Sequence, residues 1–155
     1  MKLLKWLLVT VVVLGVVLVG GSLFLPATTH VERSATIDAP PDEVFATIDS
    51  FEHFNKWSPW AEMDPNAKYT YTGPASGVGA KMAWVGNQAV GSGSQEILES
   101  VPHTRIVNAL DFGASKAKAT YLLVPDGANT RVTWSLDSEH GYNPINRWFG
   151  ALALD

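Results

Sequence analysis

The 155-residue chain contains no cysteine, which removes disulfides, thiolate nucleophiles and zinc-thiolate sites while leaving either side of a membrane open to it. It also has no cluster of basic residues. Lys2 and Lys5 stand at the N-terminus, so the 11 Lys and Arg fall to nine beyond residue 25, against 15 Asp and Glu, a balance near −6. Such a surface repels phosphate backbones and argues against nucleic acid as a partner. His30, His53, His103 and His140 are scattered with no HxH or HExxH spacing, and Glu62 with Asp64 offers too few oxygen donors, so no metal is expected. No serine sits in a G-x-S-x-G elbow. The glycine runs GPASGVG (73–79) and GSGS (91–94) lack the strand-to-helix setting and the Lys-Ser/Thr tail of a phosphate loop, and read as turns and bulges. No cofactor is implied.

What the chain does have is a long apolar run. Trp6 to Pro26 carries no charge, and Leu3 to Leu25, broken only by Lys5, would span about 34 Å as a helix, enough for a bilayer core. Basic residues precede it and the first charges after it are Glu32 and Arg33, which puts the N-terminus in the cytoplasm and the remainder outside. A cleaved signal peptide is the rival reading, but Leu25-Pro26-Ala27 is a poor cleavage site and the run is long for one. The expected organisation is an anchor over 1–26 and one domain over 27–155, with Ala27 to His30 as a short linker.

Beyond the anchor, Val31 to Ile37 alternates as a strand. Asp38-Ala39-Pro40-Pro41 ends it, and Pro41 followed by Asp42 and Glu43 suits the first turn of a helix burying Val44, Phe45 and Ile48. Ser50 is placed to cap a second short helix carrying Phe51 and Phe54, which Trp57-Ser58-Pro59-Trp60 terminates. Six further strands are expected near 68–72, 80–85, 90–99, 104–111, 116–123 and 131–137, joined by short turns and therefore antiparallel. A sheet that long curls and leaves a concavity. Ile145, Trp148, Phe149 and Leu152 then fall on one face of a final helix, which the sequence cuts short at Asp155.

This order resembles the START-like, Bet v 1-like helix-grip superfamily (SRPBCC). IDAPPDEVFATIDSFEHFNKWSPW, Asp64-Pro65, GPASGVGAKMAWVGN and NPINRWFG are similar to membrane-anchored bacterial members of its polyketide cyclase/dehydrase group. The resemblance implies an α+β helix-grip fold over residues 31–155 and a single-pass protein of the bacterial cytoplasmic membrane, with its domain on the outer side. Members of the superfamily have a long closing helix across the sheet, most of which is missing here. The superfamily spans lipid carriers, hormone and polyketide binders and some cyclases, so fold alone does not choose an activity.

The candidate ligand-binding residues are Trp57, Trp60, Tyr69, Trp84, Tyr121 and Trp134, aromatics able to line an apolar pocket, with core packing as the plainer alternative. Glu96 is a weak catalytic candidate if its strand turns it inward, sharing its face with Ser92 and Ser94; Asn108 and Tyr121 are the other polar groups a reaction would require. Three functions compete: a membrane-anchored carrier for a hydrophobic small molecule or lipid, a polyketide cyclase/dehydrase-like enzyme, and a structural or interaction module whose cavity is filled.

Overall fold

A computed structural model describes residues 2–113, 115–141 and 143–153, apart from the side chains of Leu3, Phe149, Leu152 and Ala153. The apolar stripe expected at Phe149 and Leu152 therefore lies outside the described residues. Helix α1 runs Lys2–Ser22, and its Leu4–Ser22 portion, with hydropathy 2.3, is long and apolar enough to cross a membrane. It stops three residues before the apolar run does. Leu23, Phe24 and Leu25 unwind through i→i−3 bonds of 3.1–3.2 Å onto the carbonyls of Gly20, Gly21 and Ser22.

Strand β1 spans Thr28–Ile37 and begins inside the stretch expected as a linker. Thr28, Thr29 and His30 join the sheet because they pair with Glu139, Ser138 and Asp137 of the last strand. The connection from α1 is accordingly only Leu23 to Ala27. The His30 Nδ1 to Asp137 Oδ1 distance is 2.6 Å on the solvent side. That hydrogen bond raises the His30 pKa above its ordinary 6.5. A raised folded value means the pair contributes fully below pH 6.5 and is lost as pH rises through the folded value. A small fall in melting temperature over that window is expected, weakened by salt and absent in Asp137→Asn; an unchanged pH profile in that variant would refute it.

Helix α2, Pro41–Ile48, starts with proline where an N–H has no partner to lose and holds Asp42 and Glu43 in its first turn. Helix α3 is the single turn Phe51–Phe54. Ser50 has the extended backbone of an N-cap but makes no side-chain cap, so the expected capping bond is absent. The sequence reading also ended the helical segment too early. Ser58 is extended, as a residue before proline must be, and Pro59 then opens helix α4, Pro59–Met63, at a first-turn position.

Six strands follow: β2 Lys68–Thr72, β3 Lys81–Val85, β4 Ser92–Val101, β5 Arg105–Asp111, β6 Lys116–Asp126 and β7 Asn129–Glu139. They form one antiparallel sheet in the order β1-β7-β6-β5-β4-β3-β2, an uninterrupted meander closed by β1 returning to β7. A bulge between Ile97 and Glu99 of β4 bends it. The fold is the α+β helix grip expected. Helices α2 and α3 press Val44, Ile48 and Phe51 onto Met82, Ile97, Ile106 and Leu123 of the concave face, and Ile97 and Ile106 are wholly excluded from solvent. Helix α5, Pro144–Ala153, lies against α1 and β1.

Candidate functional site

Strand register decides which side chains meet over the concave face. Tyr69 opposes Trp84, Trp84 opposes Gly93, Asn108 opposes both Ile97 and Ala119, and Tyr121 opposes Trp134. Four of the aromatic candidates, Tyr69, Trp84, Tyr121 and Trp134, thus share the inward face. The period-2 alternation read from the sequence places them there.

Three of the inward side chains carry polar atoms that are buried with no hydrogen-bond partner: Tyr69 Oη, Trp84 Nε1 and Asn108 Oδ1. Trp84 is 7% and Asn108 3% exposed. An unsatisfied buried donor or acceptor costs about 1–3 kcal/mol, so three on one face is a costly arrangement for a core whose only role is packing. Two are donors or can donate, and two can accept. Tyr121 differs. Burial pushes its phenol up to about 12, with a hydrogen bond from Trp134 acting in the opposite direction, so it stays neutral at physiological pH.

Trp84 extends sideways over its neighbours. A Cβ built on Gly93 would stand 2.5 Å from Trp84 Cζ2 and 2.8 Å from the Asp111 carbonyl, so only glycine admits the indole here. On its far side the ring meets Phe112 edge-to-face, with centroids 5.8 Å apart. Phe112 stands just past the strand that the sequence predicts over 104–111, and Gly93 lies in a run that reads as turns and bulges. A glycine within a strand facing a mid-strand tryptophan was the available signal.

The other candidates sit elsewhere. Glu96 lies on the outer face with Ser92 and Ser94, its Oε2 3.0 Å from Lys81 Nζ in a half-exposed ion pair. Its strand neighbour Gln95, buried and paired with Met82, takes the inward direction. Glu96 is therefore one of the solvated acids, as it must be when Ser92 and Ser94 share its face. Trp57 and Trp60 are 47% and 53% exposed; Trp57 packs edge-to-face on Phe54 with centroids 4.8 Å apart, and Trp60 belongs to α4. Both line the outside of the helical segment near the β2 edge of the sheet. Among the described strand residues, no inward position carries a carboxylate or an imidazole.

A depression of about 210 Å3 lies between α3 and the β2–β3 hairpin, lined by Phe51, Glu52, Tyr71, Pro74, Ala80 and Lys81 among others. Asn55 Nδ2 donates to Tyr71 Oη at 3.1 Å beside it. A shallow groove of about 440 Å3 follows Leu4, Lys5, Leu8 and Val9, but a single helix cannot wall a ligand. No group of three or more metal-ligating side chains occurs among the described residues.

Residues 28–155 match the family described as polyketide cyclase / dehydrase and lipid transport. The chain belongs to that family. The fold it shares with solved structures is consistent with this. A Thermobifida fusca protein solved by NMR aligns with TM-score 0.58 at 17% identity over 80% of this chain and 82% of its own. A Chromobacterium violaceum protein aligns at 0.56, 19% identity, over 79% and 89%. A Thalictrum norcoclaurine synthase, solved as a point mutant with a transition-state analogue, aligns at 0.58, 14% identity, over 72% and 76%. These identities establish likeness of fold alone. No curated protein matches the chain. The orphaned atoms of Tyr69, Trp84 and Asn108 stand on the inward face of β2 to β7.

Proposed function

We propose that this polyketide cyclase/dehydrase-family chain is a membrane-anchored binding domain for an apolar molecule with a small polar head. The observation that carries the reading is the set of three unpartnered polar atoms among the mainly apolar side chains of the concave face. Pockets of this kind are mostly apolar with a few fixed polar groups that set orientation. A ligand hydroxyl would accept from Trp84 Nε1 and donate to Asn108 Oδ1 or Tyr69 Oη, whichever its position allows, replacing unmade hydrogen bonds with made ones. Trp84, Tyr121 and Trp134 supply the flat apolar walls.

Binding is favoured over catalysis on the same face. Its inward strand positions present no carboxylate or imidazole for general acid–base work, and the Tyr121 phenol is held neutral. The apolar helix Leu4–Ser22 serves as an anchor whose basic flank stays in the cytoplasm, leaving the domain on the outer side.

A filled module is the second reading, and one observation favours it: Val44, Ile48, Phe51, Met82, Ile97 and Ile106 occupy the space beneath α2 and α3. Native mass spectrometry of the full-length protein, gently extracted from its own membranes, separates the two. Binding predicts a co-purified mass that an organic solvent removes; protein that consistently carries no added mass, even after incubation with total membrane lipid, would sink the proposal in favour of the filled module.

A further inference from the structure

The registers place one set of loops at a single end of the sheet. Thr28 pairs with Glu139, Glu139 with Lys116, Lys116 with Asp111, Asp111 with Ser94, Ser92 with Val85 and Val85 with Lys68. This row crosses the whole sheet at the end where α1 enters. The segments 63–67 and 86–91, with Phe112, Gly113 and Ser115, therefore all stand on the anchor side, and the turns 38–40, 73–80, 102–104 and 127–128 stand on the opposite side.

The anchor is also held to that end. Trp148 Nε1 of α5 donates to the Leu18 carbonyl at 3.0 Å, and its ring covers Gly21 so closely that a Cβ there would meet it at 3.0 Å. Arg147, buried in the same junction, donates from Nη1 to the Ser22 carbonyl at 3.2 Å and from Nε to the Gly141 carbonyl at 2.7 Å. His140 N–H bonds the Ala27 carbonyl at 2.8 Å, while its Nε2 lies 2.8 Å from Thr29 Oγ1. The five residues Leu23 to Ala27 could reach at most about 18 Å, and these clamps leave them little freedom to swing the domain round.

Exposed apolar residues lie on this same end: Leu23 and Phe24 just past α1, Met63 at the exit of α4, Val85 at the end of β3, and Phe112 after β5. Phe112 is also the residue that packs on Trp84, whose indole nitrogen has no partner. Valines are exposed at the opposite end too, so exposure alone does not choose a side; the clamped helix does. Lys68 and Lys116 of the same row are matched by Asp111 and Glu139, with Lys116 Nζ 3.9 Å from Asp111 Oδ2, so charge does not choose the side either.

We infer that this end of the sheet docks on the bilayer that holds α1, with Met63, Val85 and Phe112 at the lipid boundary, so that an apolar ligand passes between the membrane and the concave face at Phe112 without crossing water. The inference rests on the anchored-binder reading. Its energetic basis is the usual one for interfacial contacts, in which apolar side chains reach about 5–10 Å into the headgroup boundary and aromatics favour that layer.

The cysteine-free chain makes the test direct. Single-cysteine versions of the full-length protein, Met63→Cys, Val85→Cys and Phe112→Cys, with Val12→Cys in α1 and Val124→Cys at the opposite end, are labelled with a polarity-sensitive dye and reconstituted in phosphatidylethanolamine–phosphatidylglycerol vesicles. Doxyl lipid is expected to quench positions 63, 85 and 112 about threefold more than position 124, with iodide showing the reverse. Quenching by doxyl lipid at 12 together with position-124-like behaviour at 63, 85 and 112 overturns the docking and spares the anchor. No lipid quenching at 12 overturns both. Shielding of 63, 85 and 112 from both quenchers overturns the docking in favour of contact between copies of this chain. The three positions are solvent-exposed, and a circular dichroism melt of each variant confirms that it is folded before labelling.

Discussion

Replacing Asn108 with leucine is expected to raise the melting temperature of the chain while lowering its occupancy by the proposed ligand. Asn108 is nearly sealed from solvent, and its Oδ1 accepts no hydrogen bond. Leucine has the same branched skeleton, somewhat larger, and no polar atom to leave unmade, so the substitution recovers part of the roughly 1–3 kcal/mol that an orphaned buried group costs, less the strain of its extra volume. A gain of about 1 kcal/mol corresponds to about 4 °C in a domain of this size. The proposed ligand loses one of its two acceptors in the same step, which weakens binding by about tenfold for each 1.4 kcal/mol lost. Thermal melts followed by circular dichroism and ligand occupancy by native mass spectrometry read the two effects separately. A variant that melts lower with unchanged occupancy would show that Asn108 is a packing residue and nothing more.

Gly93→Ala is expected to lose about 2–3 kcal/mol, or about 10 °C, at the upper end of what one inserted methyl does in a packed interior. The new Cβ would fall 2.5 Å from the Trp84 ring and 2.8 Å from the Asp111 carbonyl. The carbonyl belongs to the end of β5, which is paired on both sides and cannot retreat, so the indole must move and take Phe112 with it. Trp84→Phe in the same chain, by shrinking the ring, is expected to restore about half of the loss as a coupled pair. Additive losses in the double variant would show that the carbonyl, not the indole, is the obstacle. Gly93, Trp84 and Phe112 form one continuous wall from the strand interior to the rim of the sheet.

Most of the architecture was legible from residue order. Alternation in Lys116 to Leu123 and Arg131 to Asp137 is a local signal, and each strand buried on one face announces its own orientation, which is why Trp84, Tyr121 and Trp134 could be assigned a face in advance. Helix α2 was legible from Pro41, Asp42 and Glu43 because helix starts obey local chemistry. Helix α4 was not, since Pro59 is compatible with either a stop or a start and only packing decides. The inward or outward direction of Glu96 was set by its neighbours Gln95 and Ile97, which fit the core better than an acid does. Trp57 and Trp60 were candidates by type, yet their exposure depends on how α3 and α4 lie along the sheet, a tertiary fact with no local signature. The same is true of the polar orphans: a sequence shows that Asn108 exists, not that nothing bonds its oxygen.

The return of β1 to β7 also bears on the order in which the molecule can form. β1 is made first, but its partner is made last, with Thr28 waiting for Glu139 across 111 residues. Strands β2 to β6 can zip in sequence as each emerges, since every pairing is with the strand just made. β1 cannot, and remains an unpaired edge beside the apolar α1 until the final strand arrives. Closing so long a loop is the slow, entropically opposed step of folding, and it makes the arrival of β7, rather than local strand formation, the event that completes the sheet.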